Sequence, residues 1–428
     1  MTKPPKVSVI VLNYNGRQHL GPCLESLEAM EYPRECVELV VCDNGSTDGS
    51  AAYVAQAFPH VRVVALDANY GFAEGNNRAA RAVESELIAF LNNDMRVQPA
   101  WLRELVAPVT EMANVACVSS KILNWNGELI DFIGAGVNFQ GFGFQFDFGL
   151  RESPKDRAGR IFCPCGGAML IRREAFLDAG GFDGDYFGFY EDTDLGWRLN
   201  LFGHDVWYTP KAVVFHRHHG TYERMKAYRL RVLYERNALF TIYKCLDDAN
   251  LQAALPASLV LLNEKALRMA NLDVEGFLLR PPSQRPAPAM DATAPPPETA
   301  VMKLRRVLRN EGPLAVVTKG ARFLARRARR RRSRRLAGDR DFRMPLSALA
   351  CYVALSDFGH SLESLLEKRR WVQARRTRSD EELLPFFYFA LEPSYHDDPK
   401  YVDFHWHLIQ TLGLDRRFGE GDLHSRPR

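Results

Sequence analysis

VELVVCDNGSTDGS, residues 37–50, is an apolar run broken once by Glu38, closed by Asp43, and followed by a Gly/Ser-rich turn that opens into helical sequence. Near-continuous apolar runs of this length belong to strands buried on both faces, as in parallel sheets covered by helices. Taken alone, Asp43-Asn44-Gly45-Ser46 is a good turn and helix cap. Upstream, VSVIVLNYN (7–15) is a second apolar run ending in amide side chains, and HLGPCLESLEAM (19–30) between the two has helical spacing. Together they form a βαβ unit. Open parallel sheets of such units bind ligands beyond the carboxyl ends of their strands.

Two more runs extend the pattern. VRVVAL (61–66) leads into DANYGFAEGNNRAARAV (67–83), where Gly71, Gly75, Asn76 and Asn77 open a helix. Glycine lets backbone approach a ligand closely, and a helix N-terminus favours anionic groups. LIAFLNND (87–94) is the fourth strand, and it delivers Asn92, Asn93 and Asp94 to its tip. The expected class is α/β, with strand ends tipped by Asn or Asp around one cleft.

At 428 residues the chain has room for one large catalytic domain and an appendage. Its net charge of +4 is too small to name a partner. Eight cysteines, including the pair Cys163 and Cys165, fit neither a disulfide framework nor paired C-x-x-C zinc spacing, so reduced buried thiols are expected. The six-residue apolar run near the N-terminus is too short for a signal core or a membrane span, which points to the cytoplasm. Composition divides the chain into an α/β part (1–225), an amphipathic helical extension (226–280), a Pro-rich linker (281–300), a basic segment (301–340) and a C-terminal helical module or packing arm (341–428).

The motifs VSVIVLNYNG, VVCDNGSTDGS, NYGFAEGNNRA, FLNNDM, GGAMLIRREAFLDAGGFD, FYEDTDLGWRLNLFGHDVWYTP and VVFHRHHG occur in that order between residues 7 and about 240. In this they resemble the family 2 glycosyltransferases of GT-A fold, specifically a bacterial rhamnosyltransferase-like branch. The resemblance implies a mostly parallel central sheet flanked by helices, with a helical C-terminal extension here. It implies that Asp43 accepts the ring N–H of the donor base, a donor offered by both uracil and thymine. Asn13, Asn15, Asn76, Asn77 and Asn92 would line the donor pocket. Asn92-Asn93-Asp94 stands where the family has D-x-D, which leaves Asp94 as the only carboxylate. A Mn or Mg ion can be held by one carboxylate plus substrate phosphates and a further protein group. His216, after the strand AVVF, is at the family's ligand position, and imidazole suits Mn better than Mg. Asn92 either weakens that site or supports it through an amide hydrogen bond.

Sugar transfer also needs a base for the acceptor hydroxyl. The resemblance assigns Asp192 as that base, with Glu191 orienting the acceptor or supporting the site. Acidic residues in a first helical turn also cap amides and complement the dipole, so the pair has a purely structural reading as well. Asp194 and Arg198 are spaced to pair across one turn. Gly166 and Gly167 would let the acceptor approach, and Trp197 is expected to pack. The implied reaction is an inverting transfer of one sugar from a dTDP- or UDP-sugar, with dTDP-rhamnose among the candidates, to a saccharide or lipid-linked saccharide. That places it in cell-surface polysaccharide synthesis. The motif Q-x-x-R-W of processive synthases is absent, since Glu367 to Trp371 reads EKRRW.

Three segments leave alternatives open. Residues 122–149 form either a mobile acceptor loop or an ordinary β-hairpin. The helical run and the arginines of 322–335 suit an anionic membrane surface, or else a solvated basic arm. A sugar-nucleotide nucleotidyltransferase would carry a glycine-rich basic loop after its first strand, which LNYNGRQHL does not supply. A nucleic-acid-binding protein would explain the arginines but not the acidic motifs, and no nucleic acid is expected as a partner.

Overall fold

The apolar runs form the parallel half of a ten-stranded sheet. The computed structural model describes residues 3–217, 225–272 and 343–419. In it, β1 (Val7–Asn13), β2 (Val37–Asp43), β3 (Arg62–Ala65) and β4 (Leu87–Asn92) lie in the order β3-β2-β1-β4, every pair parallel. Val7, Val9, Ile10 and Val11 are fully buried, each contributing roughly 1.5–3 kcal/mol relative to exposure. Helices α1 (Arg17–Glu28), α2 (Ser50–Ala57) and α3 (Gly71–Arg81) make the crossovers. Register places Asn13 opposite Asp43, and Leu12 opposite Asn92, so the polar tips share one rim.

Beyond β4 the sheet becomes mixed. Its further elements are β5 (Met95–Val97), α4 (Trp101–Glu111), β6 (Val115–Asn124), β7 (Ile130–Phe132), β8 (Ala135–Val137), β9 (Gly143–Gln145), β10 (Gly159–Ile161), β11 (Ala168–Arg172), α5 (Arg173–Asp178), α6 (Glu191–Leu201) and β12 (Asp205–His216). β11 lies antiparallel between β4 and β6, while β12 runs parallel to β6. The expected parallel order therefore holds through β4, and the overall class is the α/β arrangement the sequence implies. Within 122–149, β7 joins the main sheet and β8 pairs with β9 as a two-stranded hairpin.

The helical run, expected at a membrane surface or as a solvated arm, packs one face against the rest of the unit. Helix α7 (Ala227–Cys245) buries Glu235 and Asn237 through Ile242, and α8 (Asp248–Ala270) buries Leu261, Leu262 and Lys265. The reason is polar pairing on the inner face: the Lys265 ammonium lies 2.9 Å from Glu235 Oε2, with both side chains sealed. α9 (Leu346–His360), α10 (Leu362–Arg375) and α11 (Pro399–Leu412) complete one compact unit that joins residues up to 271 with those from 347 onward. Arg369 on α10 donates to the Tyr243 and Leu246 carbonyls and Gln373 to the Lys244 carbonyl, satisfying groups that a helix end leaves open. The tail also extends the hairpin, since Val137 N donates to Phe387 O at 2.8 Å and Phe139 N to Ala390 O at 2.9 Å. Trp197 packs as expected, fully buried against Phe162 and Phe387. All eight cysteines are free. The Pro-rich linker (281–300) and the basic segment (301–340) lie outside the described residues.

Candidate active site

The rim of the parallel half is a hydrogen-bonded row. Asn13 Nδ2 donates to Asp43 Oδ1 at 3.0 Å and to Ser46 Oγ at 3.2 Å, while Asn13 Oδ1 accepts from Asn93 Nδ2 at 2.7 Å. Ser46 N donates to Asp43 Oδ2 at 3.2 Å. Both Asp43 oxygens are thus fixed by chain groups, and each keeps a further lone pair for a ligand N–H. Asn15, in the left-handed region at φ 51°, accepts from Thr47 N at 2.7 Å and ties the first tip to the second.

Asn76 and Asn77 are not brought to this row. Asn76 donates to the Phe72 carbonyl one turn back, and the Asn77 amide both donates to Phe182 O at 2.7 Å and accepts from Phe182 N at 2.9 Å. They brace α3, because a buried amide facing exposed backbone groups satisfies them in preference to waiting for a ligand. Asn44 does the same at the start of α3, donating to Gly71 O and accepting from Tyr70 N.

Asp94 and His216 meet. β5 pairs with β12 so that His216 lies opposite Met95, directly after Asp94, and His216 Nε2 sits 3.4 Å from Asp94 Oδ2. His216 Nδ1 lies 2.6 Å from Asp131 Oδ2, a residue the sequence reading did not single out. Burial alone would lower the His216 pKa, but the hydrogen bonds from Asp131 and then Asp94 raise it to about 9. Burial would likewise raise Asp94, and the His216 hydrogen bond and charge hold it below the usual carboxylate range. One carboxylate oxygen and one imidazole nitrogen at this separation can share a divalent ion. Among the described residues no group of three His, Cys, Asp or Glu side chains forms a metal cage, so such an ion would take its other ligands from a bound diphosphate.

The carboxylate pair opens α6 from a constrained backbone. Phe187, Phe189 and Tyr190 all have positive φ (61°, 68° and 65°), which non-glycine residues adopt at a cost of order 1–3 kcal/mol each. Asn237 of α7 holds this stretch, its Nδ2 donating to the carbonyls of Tyr186, Gly188 and Phe189. Asp192 Oδ2 accepts from Gly166 N at 3.0 Å and Oδ1 from Thr193 N at 2.7 Å. Among the described residues Glu191 Oε2 is buried and has no hydrogen-bond partner. Burial pushes Glu191 well above the usual carboxylate range and the Asp192 charge adds to it. Burial raises Asp192 as well, against the Gly166 and Thr193 amides that favour its charged form. The two adjacent buried carboxyls oppose each other's ionisation, and the Gly166 and Thr193 amides favour the charged form of Asp192. Asp194 and Arg198 pair as spaced, at 2.6 Å.

Gly166 and Gly167 join the two halves of the site. Asn92 N donates to Gly167 O at 2.8 Å, and a Cβ on Gly167 would stand 2.7 Å from Asn92 Nδ2, so this position needs glycine. The Asn92 side chain thus lies against Gly167 at the seam.

Residues 8–180 match the family described as Glycosyl transferase family 2. Over half of the chain, it is 31% identical to the O-antigen biosynthesis protein RfbC of Myxococcus xanthus, and that match spans 17% of the relative's length. It is 28% identical, again over 50% of the chain, to an N-acetylglucosaminyl-diphospho-decaprenol L-rhamnosyltransferase of Mycobacterium tuberculosis, covering 76% of that protein. Among solved structures, GalNAc-T7 with UDP, GalNAc and Mn2+ is similar with a TM-score of 0.48 at 16% identity, over 59% of this chain and 51% of that one.

Proposed function

We propose, for a chain that belongs to glycosyl transferase family 2 through residues 8–180, that it is an inverting glycosyltransferase moving one sugar from a dTDP- or UDP-sugar to a hydroxyl of a saccharide or lipid-linked saccharide. The carrying observation is the seam: Gly166 holds Asp192 while Gly167 pairs with Asn92, two residues before Asp94. This backbone link supports a reading in which the Asp192 base and the Asp94–His216 metal position serve one reaction centre.

Asp192 takes the proton of the acceptor hydroxyl as its oxygen bonds to the anomeric carbon and the bond to the diphosphate breaks. Because Asp192 acts on the acceptor and no carboxylate is needed as a nucleophile, a single displacement inverts the anomeric centre. In this reading Glu191 orients the acceptor or supports the site, and Asp43 accepts the ring N–H of the donor base. Asp94 and His216 are the residues that would hold Mn2+ or Mg2+, which when bound neutralises charge on the leaving diphosphate. The decaprenol-linked sugar in the mycobacterial relative's name supports a lipid-linked acceptor in cell-surface polysaccharide synthesis. We place the reaction at the cytoplasmic face of a membrane, with the protein peripheral to it; no helix among the described residues is long and apolar enough to cross one.

The test is acceptor-dependent release of nucleoside diphosphate. Asp192→Asn should lower its rate by roughly 10²–10⁴-fold while donor binding is kept. A variant that transfers at the parent rate would remove Asp192 from the chemistry.

A further inference from the structure

We infer that Asp131 is the positioning residue of the metal site, fixing the tautomer and direction of His216. This rests on the proposed metal role of Asp94 and His216. Asp131 lies in β7, which pairs antiparallel with β6: Ile122 faces Phe132 and Leu123 faces Ile130. That shift leaves Asp131 as the extra residue of a β-bulge. Bulges locally break the ladder, and beside active sites they re-aim a side chain. Here the aim is the last residue of the neighbouring strand but one, for β6 is flanked by β12, whose His216 stands opposite Asn124.

The contact has one chemical sense. A carboxylate accepts hydrogen bonds and does not donate them, so the 2.6 Å contact places a proton on Nδ1. Nε2 is then the nitrogen facing Asp94, 3.4 Å from its Oδ2. On metal binding the Nε2 lone pair is the one available to the ion, and any proton on Nε2 leaves to solvent. The Asp131 and Asp94 side chains are 7% and 5% exposed, so neither is a mobile surface acid that happens to meet the ring. Carboxylates behind metal-bound imidazoles set ring orientation and raise ligand basicity, and their loss typically costs 10–100-fold in metal affinity.

The experiment is a double-mutant cycle on Mn2+ affinity, read by electron paramagnetic resonance of the full chain with UDP or dTDP present. Asp131→Asn should weaken Mn2+ binding by roughly 10–100-fold in the parent background. In a His216→Gln background the same change should have no effect. An unchanged affinity in Asp131→Asn, or an equal loss in both backgrounds, overturns the inference while leaving the metal reading standing. A parent that binds no Mn2+ overturns both. Should Asp131→Asn fail to fold, nitrogen-15 resonance of labelled histidine in the parent with Mg2+ and nucleotide decides: His216 must carry a proton on Nδ1, and a ring protonated at Nε2 but bare at Nδ1 contradicts the assignment.

Discussion

The Lys244 ammonium lies 2.7 Å from Asp194 Oδ1, with the two side chains 2% and 0% exposed. The same ammonium is 2.5 Å from Asp183 Oδ2, and Lys368 of α10 reaches the other oxygen of Asp183. Burial alone would raise the Asp183 pKa, yet the charges of Lys244 and Lys368 hold it well below the usual carboxylate range. Three helices, α6, α7 and α10, are thus clamped around one buried cluster.

Removing Lys244 takes away the ammonium that Asp183 and Asp194 share and leaves Asp183 to Lys368 and Asp194 to Arg198. Lys244→Met should cost about 3–5 kcal/mol of stability, because breaking a buried pair strands the partner charge. Denaturant titration of parent and variant measures it; a loss below about 1 kcal/mol would mean that the cluster relaxes into solvent.

Asn237→Leu should act on catalysis more than on donor binding. The amide holds three carbonyls of the positive-φ stretch that aims Asp192, whereas the donor-binding tips lie on β1 and β2. A displacement of about 1 Å in a catalytic group costs on the order of 10²-fold in rate. Steady-state kinetics should show kcat reduced by that order with donor KM unchanged; an unchanged kcat would show that the stretch holds its shape unaided.

His405 on α11 gives the C-terminal packing a pH dependence. Burial lowers its pKa from 6.5 to about 4, against the Leu391 carbonyl that accepts from Nε2. The unfolded chain therefore takes up the proton first. Stability from neutral His405 is complete above about pH 6.5 and is lost as pH falls towards about 4, a change on the order of 3 kcal/mol. His405→Leu lacks this titration, so the stability gap between parent and variant should narrow across that window. A constant gap would contradict the assignment.

The parallel half of the fold was legible because β1, β2 and β4 are largely buried and so read as near-continuous apolar text, interrupted only by Ser8 and Glu38 before their polar tips. Asp43, Asp94 and Asp192 stood out in the sequence because Asp43 ends β2, Asp94 follows β4 and Asp192 lies in the first turn of α6. Asp131 did not. It is a lone acid in ELIDFIG, within a glycine-rich and aromatic stretch, and its role depends on a bulge against β6 that no local pattern encodes. Asn237 was hidden for a related reason: its partners are about fifty residues upstream, and periodicity showed only that α7 is a helix. Asn76 and Asn77 bond neighbouring backbone groups, a use the sequence does not separate from ligand binding, because an asparagine at a helix start suits both. The inward pairing of Glu235 with Lys265 likewise made a core helix look amphipathic.

The most direct measurement is donor binding and turnover across UDP-, dTDP- and GDP-sugars with Mn2+ or Mg2+, for the parent and for Asp94→Ala. Metal-dependent use of a UDP- or dTDP-sugar that disappears in the variant, with folding intact, is the expected result. A parent that binds none of these donors, or an Asp94→Ala protein that turns one over at the parent rate, would contradict a metal-assisted transferase built on Asp94 and His216.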